Sequence, residues 1–300
     1  MADRQELALT RRGGLGRYHS HLWAGLLLFA RHKPLGMAGG VIVALLIFLA
    51  IAAPLISPYD PLGLNSREML EPPSTAHPFG TDQAGRDVLS RIIWGARVAL
   101  WVGIVSVSVG TASGIVLGVP SYWGGAVDLV IQRIMDGLLA FPTLILAITL
   151  VAVLGPSITN AMVAIGIVMA PQMARLVRGS VLSIRESTFV EAAIAIGASD
   201  MEVIWRHILP NILAPIIVMA TAGLARAILV EASLSFLGLG TQPPTPSWGA
   251  DLSGPGRSFF EIAPWLAVFP GLAITLVVLG INLYGDALRD IWDPRLRTER

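Results

Sequence analysis

The sequence predicts an all-α polytopic membrane protein with six transmembrane helices. Three observations carry that prediction: an apolar composition, six segments of span length, and basic residues gathered into alternate loops. Of 300 residues, 54% are hydrophobic and 14% charged, where a soluble domain carries roughly 25% charged residues. With 21 Lys plus Arg against 20 Asp plus Glu, no basic excess exists to neutralise a nucleic-acid backbone. Cysteine is absent and His19, His21, His32, His77 and His207 form no H-x-x-x-H pair, so neither disulfides nor histidine–thiolate metal chemistry is indicated.

The elements follow in order. Residues 1–35 read as a cytosolic segment in which Ser20–Lys33, SHLWAGLLLFARHK, lies along the inner interface, anchored by Trp23 and its basic end. Pro34 turns the chain into a first span, Gly36 to Ser57, which is free of charge. A cleaved leader ending near Ala50-Ile51-Ala52 is a rival reading, disfavoured because the basic stretch before it is too long. The loop 58–97 exceeds a simple connection and ends in FGTDQAGRDVLSR, where Asp82 is expected to cap the helix entering the second span, Val98 to Pro120. In that span Gly110, Gly114 and Gly118 fall on one face, as close helix packing requires.

Gly137 to Leu154, Ile158 to Ala174 and Ile212 to Val230 are the next three spans, interrupted by Pro142, Pro171, Pro215 and Arg226. Neighbouring helices must supply their missing backbone partners. The stretch LGTQPPTPSWG (239–249), stiffened by Pro243, Pro244, Pro246 and Trp248, is expected to plug or line the outer mouth, a stiff turn being the plainer alternative. The sixth span is Ile262 to Gly285, closing a transmembrane domain of residues 36–285, and residues 286–300 form a cytosolic tail.

Basic residues orient the spans. Arg4, Arg11, Arg12, Arg17, Arg31 and Lys33 precede the first span, Arg175, Arg178, Arg185 and Arg206 fall in the loop 175–209, and Arg289, Arg295, Arg297 and Arg300 end the chain. The segments 58–97 and 231–261 hold only Arg67, Arg86, Arg91, Arg97 and Arg257. Both termini and the 175–209 loop are therefore expected in the cytoplasm, and 58–97 outside.

That cytosolic loop contains STFVEAAIAIGASDMEVIWRHILPN, residues 187–211. Thr188 with Glu191 and Ser199 with Glu202 fit two capping boxes, Gly197 suits a left-handed joint between the helices, and Pro210 is expected to stop the second. Phe189, Ile194, Ile196, Met201, Ile204 and Trp205 supply apolar area, while Ala192, Ala193 and Ala195 keep one side thin. Such a face must be buried in headgroups, in the chain's own bundle or in another protein's groove. Glu191, Asp200 and Glu202 against Arg206 disfavour anionic headgroups, leaving a protein groove or the chain's own spans.

EAAIAIGASDMEVIWRHILPN resembles the EAA loop of permease subunits of ATP-binding-cassette importers: Glu191-Ala192-Ala193, then Gly197, then Leu209-Pro210. His207 stands where the general pattern has Ile, a departure shared with the peptide and glutathione branch. HPFGTDQAGRDVLSRIIWGARVAL (77–100), EASLSFLGLGTQPPTPSWGADL (231–252) and NLYGDALRDIWDPR (282–295) resemble the same branch. The resemblance implies a type I importer permease fold, in which the loop couples to a separate ATPase through Glu191, Ala192, Ala193, Gly197, Ser199, Asp200, Arg206, Leu209 and Pro210. It further implies a homologous second permease, two ATPase subunits carrying the ATP and Mg, and an extracytoplasmic substrate-binding protein for peptides or glutathione. The setting would be a bacterial inner membrane. Asp82, Arg86, Asp87 and Arg91 are then expected near the binding protein's docking surface, with Trp248 at the outer gate.

No G-x-x-x-x-G-K-[ST] occurs, the sole lysine Lys33 sits in RHKPLG, and no G-x-S-x-G elbow is present, so the chain is expected not to be an enzyme and to bind no cofactor itself. The rival class is an ion-coupled transporter or channel, whose buried charges would carry protons or ions. Its candidates are Arg133 with Asp136 and Arg226 with Glu231, for which snorkelling to an interface is the plainer account.

Overall fold

The computed structural model describes residues 33–292. The interfacial helix expected over residues 20–33 and the tail beyond residue 292 lie outside the described residues.

Each apolar run among the described residues forms helix, because hydrocarbon leaves backbone groups no partner but each other. The helices are α1 (Pro34–Ile56), α2 (Val88–Gly118), α3 (Gly125–Leu139), α4 (Thr143–Leu154), α5 (Ile158–Arg185), α6 (Thr188–Ala195), α7 (Asp200–Phe236), α8 (Trp248–Ser253), α9 (Pro255–Ser258) and α10 (Trp265–Trp292). Five are long and apolar enough to cross a membrane, and a sixth crossing arises if α3 and α4, bent by 96°, act together.

That bend falls at Pro142, the interruption expected within the span Gly137 to Leu154. Pro142 has no N–H to donate and pushes the preceding Phe141 out of the helical region, so the helix breaks before Pro142 and restarts at Thr143. Pro210 corrects its expected role as a stop, for α7 runs through it. A π-helical stretch, Ile204–Ile208, precedes it, with the Leu209 N–H bonded back to the Ile204 carbonyl, so Pro210 enters at the start of a new α-helical register.

The most extensive packing is α2 on α5. A methyl on Gly110 would approach Met169 Cβ to 2.9 Å and one on Gly118 would approach Val177 Cβ to 2.6 Å, while Gly114 faces Met173 in the same way. The glycine face is thus a packing seam. Gly39 on α1 meets the Gly280 carbonyl of α10 by the same device, and α7 lies among α2, α5 and α10. One end of the bundle carries residues 119–123, α6 and the start of α7; the other carries the 57–87 loop and α8 and α9.

Candidate functional site

The helix pair α6 and the start of α7 is built by local rules. Gly197 takes φ +93°, the Ala198 N–H bonds the Ala193 carbonyl at 3.1 Å and the Gly197 N–H bonds the Ile194 carbonyl at 3.0 Å, a Schellman ending that turns the chain sharply. The next helix opens on Ser199, whose hydroxyl accepts the Glu202 N–H at 3.3 Å. The first expected capping box is absent. Ser187, not Thr188, precedes the helix, and its hydroxyl donates to the Ile184 carbonyl at 2.6 Å, tying the loop to the end of α5.

The pair has two faces. Val190, Val203, Ile204 and Ile208 are buried with Tyr122, Met173, Val177 and Val181, and Ala193 is buried too, so the element is fixed to its own bundle. Asp200 reinforces this by accepting from Tyr122 Oη at 3.1 Å and Trp123 Nε1 at 3.0 Å, and Arg185 lies over the Tyr122 ring. Ala193 therefore faces inward, contrary to its expected place on a docking face, whereas Glu191 and Ala192 are exposed. Pro210 is exposed and Leu209 half-buried, at the start of the continuing helix. The outward face is apolar: Ile196 is 88% exposed and Trp205 65%, with Phe189, Ile194 and Met201 beside them. Arg206 pairs with Glu202 one turn away at the rim.

At the opposite end the expected docking charges are interior. Asp82 and Asp87 are each 2% exposed, Arg91 5% and Trp248 4%. Asp87, not Asp82, caps α2, accepting the Ser90 N–H at 2.7 Å. Asp82 instead folds its own loop, taking the N–H of Ala84 at 2.8 Å and of Arg86 at 3.0 Å while pairing with the Arg86 guanidinium. Arg91 reaches Asp251 on α8 and the Pro61 carbonyl at 3.2 Å, and Trp248 Nε1 donates to the Ile92 carbonyl at 3.0 Å over Gly95. These residues brace the 57–87 and 239–249 loops and α8 against α2, and a buried charge of this kind is retained only with its partner. His77 joins the brace through Asp87 at 3.0 Å and Glu68 at 3.2 Å. Burial alone would lower the His77 pKa, but these two carboxylate contacts outweigh it and raise the ring above its ordinary value.

Of the four charges that could carry ions or snorkel, Asp136, Arg226 and Glu231 take other contacts. Asp136 pairs with Arg175 across α3 and α5, as Asp128 does with Arg178, leaving Arg133 out of that contact. Glu231 does not bracket a helix end with Arg226. It is 3% exposed and accepts from Ser235 at 2.7 Å, Thr241 at 3.1 Å and Ser247 at 3.2 Å, so it pins the 239–249 loop to α7 rather than snorkelling. Sequence reasoning missed this role. Its signal was a lone carboxylate followed one helical turn later by Ser235 and then by a hydroxyl-bearing loop.

Between α2, α5, α7 and α10 lies a cavity of about 790 Å³, lined by Gly110, Met169, Gln172, Pro215, Gly223 and Arg226 among others. It reaches toward the α6 end of the bundle through Ser183, Asp286 and Arg289.

Residues 110–298 match the family described as the binding-protein-dependent transport system inner membrane component, and residues 22–73 match the N-terminal TM domain of oligopeptide transport permease C. The dipeptide transport system permease protein of Alkalihalophilus pseudofirmus is 47% identical over 89% of this chain and 88% of its own length. A glutathione transport system permease protein of Escherichia coli is likewise 47% identical over 89% of this chain and 88% of its own length. A putative peptide transport system permease protein of Brucella suis is 44% identical over 87% of this chain and 88% of its own length. In fold, a chain of the inward-facing methionine ABC transporter MetNI superposes with a TM-score of 0.54 at 22% identity, covering 67% of this chain and 96% of that one. Two family matches, relatives aligned over nearly the whole chain and a shared fold agree: this chain belongs to the inner-membrane permease subunits of binding-protein-dependent ABC importers.

Proposed function

We propose that the chain forms one half of the translocation pathway for short peptides, including dipeptides, oligopeptides or glutathione, pairing with a homologous second permease. The cargo class rests on the names carried by its relatives. ATP and Mg belong to two partner ATPase subunits, whose closing motion reaches the spans through α6 and the start of α7. An extracytoplasmic binding protein delivers cargo to the outer loops. Both termini and residues 175–209 face the cytoplasm, as the distribution of arginine favours.

The single observation that carries the coupling role is the two-faced helix pair. One side is locked to α2 and α5, while Phe189, Ile194, Ile196, Met201 and Trp205 stay exposed at a water-facing end, where a contiguous apolar patch marks a contact surface. Because Tyr122, Trp123 and Arg185 tie the pair to the ends of α2 and α5, force on the patch moves those spans directly. Glu191, Ala192, Gly197, Ser199 and Arg206 frame the patch; Ala193, Asp200, Leu209 and Pro210 transmit from its base. At the other end, Asp82, Arg86, Asp87, Arg91 and Trp248 hold the shape of the docking loops without themselves presenting charge to the binding protein.

The test is reconstitution with the ATPase subunits and the binding protein. Glu191→Lys and Gly197→Pro are expected to leave the spans folded and to disconnect ATP hydrolysis from peptide uptake, since Pro cannot adopt the positive φ of Gly197. Trp205→Ala is expected to weaken copurification of the ATPase. Preserved coupling in both of the first two variants refutes the assignment.

A further inference from the structure

The cavity among α2, α5, α7 and α10 holds a mid-level charge, Arg226, that no described residue neutralises. Gln172 lies at the middle of the 28-residue α5, so at a rise of about 1.5 Å per residue it stands roughly 20 Å from either end. Arg226 on α7 donates to the Gln172 side-chain oxygen across the cavity wall. A guanidinium at mid-bilayer depth is costly against lipid, and such residues face a water-filled path or a partner charge. Among the described residues no carboxylate lies within ion-pair distance of Arg226, although Asp136, Asp128, Asp251 and Asp290 all hold basic partners elsewhere. Arg226 is exposed rather than packed away, and apart from Gln172 and Thr111 the lining around it is apolar or small, with methionine, glycine, alanine, leucine, valine and proline. Toward the α6 end the lining adds one acid, Asp286, and one base, Arg289, so the cavity as a whole keeps a net positive charge.

Resting on the peptide-import reading, we propose that Arg226, oriented by Gln172, is a carboxylate-binding station for the C-terminus of a peptide in transit. The planar guanidinium presents several N–H donors and Gln172 occupies one of its edges, which fixes the side chain while leaving another edge to accept a carboxylate in a paired hydrogen-bond geometry. A cavity of about 790 Å³ has room for a short peptide, and its apolar remainder tolerates varied side chains. A fixed charge in the largely apolar mid-level of the chamber selects for what all linear peptides share.

The test uses the complete importer in proteoliposomes, with binding protein and ATPases, and measures uptake of tri-alanine and of its C-terminal amide, each normalised to its retention by the binding protein. The expected result is an acid-to-amide preference in the parent importer that Arg226→Gln narrows about tenfold, equivalent to ~1.4 kcal/mol of lost discrimination, and that Arg226→Lys largely keeps. Copurification of the second permease with each variant is read in parallel. An unchanged ratio in Arg226→Gln, equal slowing of acid and amide, or loss of the second permease from that variant overturns the proposal, the last because it assigns Arg226 to a carboxylate of the neighbouring subunit. A parent importer that moves neither peptide overturns the peptide-import reading itself, and the station with it.

Discussion

Replacing Arg91 by alanine is expected to unfasten the 57–87 and 239–249 loops rather than to change the charge the protein presents at its surface. The guanidinium is 5% exposed and binds three separate segments: Asp251 on α8, the Pro61 carbonyl at 3.2 Å and the Pro244 carbonyl at 3.5 Å. Removing it leaves the Asp251 carboxylate, whose side chain is 13% exposed, without its counter-ion. Breaking a buried pair from one side costs about 3–5 kcal/mol, which corresponds to roughly a 150- to 4,000-fold rise in the open fraction of the loop. Hydrogen–deuterium exchange on the detergent-solubilised protein reads this directly at the amides of Leu70 and Asp82, which bond the carbonyls of Asp82 and Arg86 at 3.0 Å each. Their protection is expected to fall by that factor while amides within α5 are unaffected. The double variant Arg91→Met with Asp251→Leu, which removes both charges and keeps apolar volume, is expected to recover most of the loss. A drop of less than about tenfold in the single variant, ~1.4 kcal/mol, refutes the view that Arg91 is a brace.

His77 gives the brace a pH dependence. Its raised pKa, held up by Asp87 and Glu68 against burial, means that the stabilisation is complete below the ordinary histidine value and drains away as pH rises through the higher folded value. The melting-temperature gap between the native chain and His77→Gln is therefore expected to be widest near pH 5.5–6 and to shrink toward pH 8.5; a gap that widens with pH contradicts it. In the packing seam, Gly114→Val is expected to cost about 1–3 kcal/mol because its new carbons meet Met173 on α5. Gly179→Ala, on the same α5 with nothing within 4 Å of the added carbon, should stabilise by about 0.5–1 kcal/mol. Thermal unfolding in detergent measures both signs. Ser199→Ala removes the hydroxyl that accepts the Glu202 N–H at 3.3 Å and is expected to cost about 1 kcal/mol, seen as faster exchange at Met201, Glu202 and Val203 with the spans unchanged.

Local features proved readable to different degrees. Gly197 and Ser199 behave as their positions in the chain imply, because a Schellman ending and a hydroxyl cap are decided within about six residues. Thr188 failed as a cap because Ser187, one position earlier, already sits where α5 ends and has the Ile184 carbonyl within reach. Asp82 was the expected cap, but Asp87 takes that place because Asp82 is occupied in closing the Ala84–Arg86 turn. The charges of the same motif looked like a surface because polarity normally implies exposure; their partners Asp251, Pro61 and Pro244 are far away in the chain, so nothing near Arg91 announced its burial.

The sequence by itself determined that the chain is helical and membrane-embedded, where its long apolar runs lie, which loops gather arginine and where the glycine seam runs, since each follows from composition or from a repeat along one helix. Tertiary structure alone decided which side of α6 faces the bundle, that Glu231 and Arg91 are interior fasteners, that α3 and α4 meet at a 96° bend, and that Arg226 meets Gln172 at the wall of a cavity. Those facts depend on the relative rotation and depth of helices distant in the chain. Such rotations are set by the fit of whole surfaces rather than by any local run of residues.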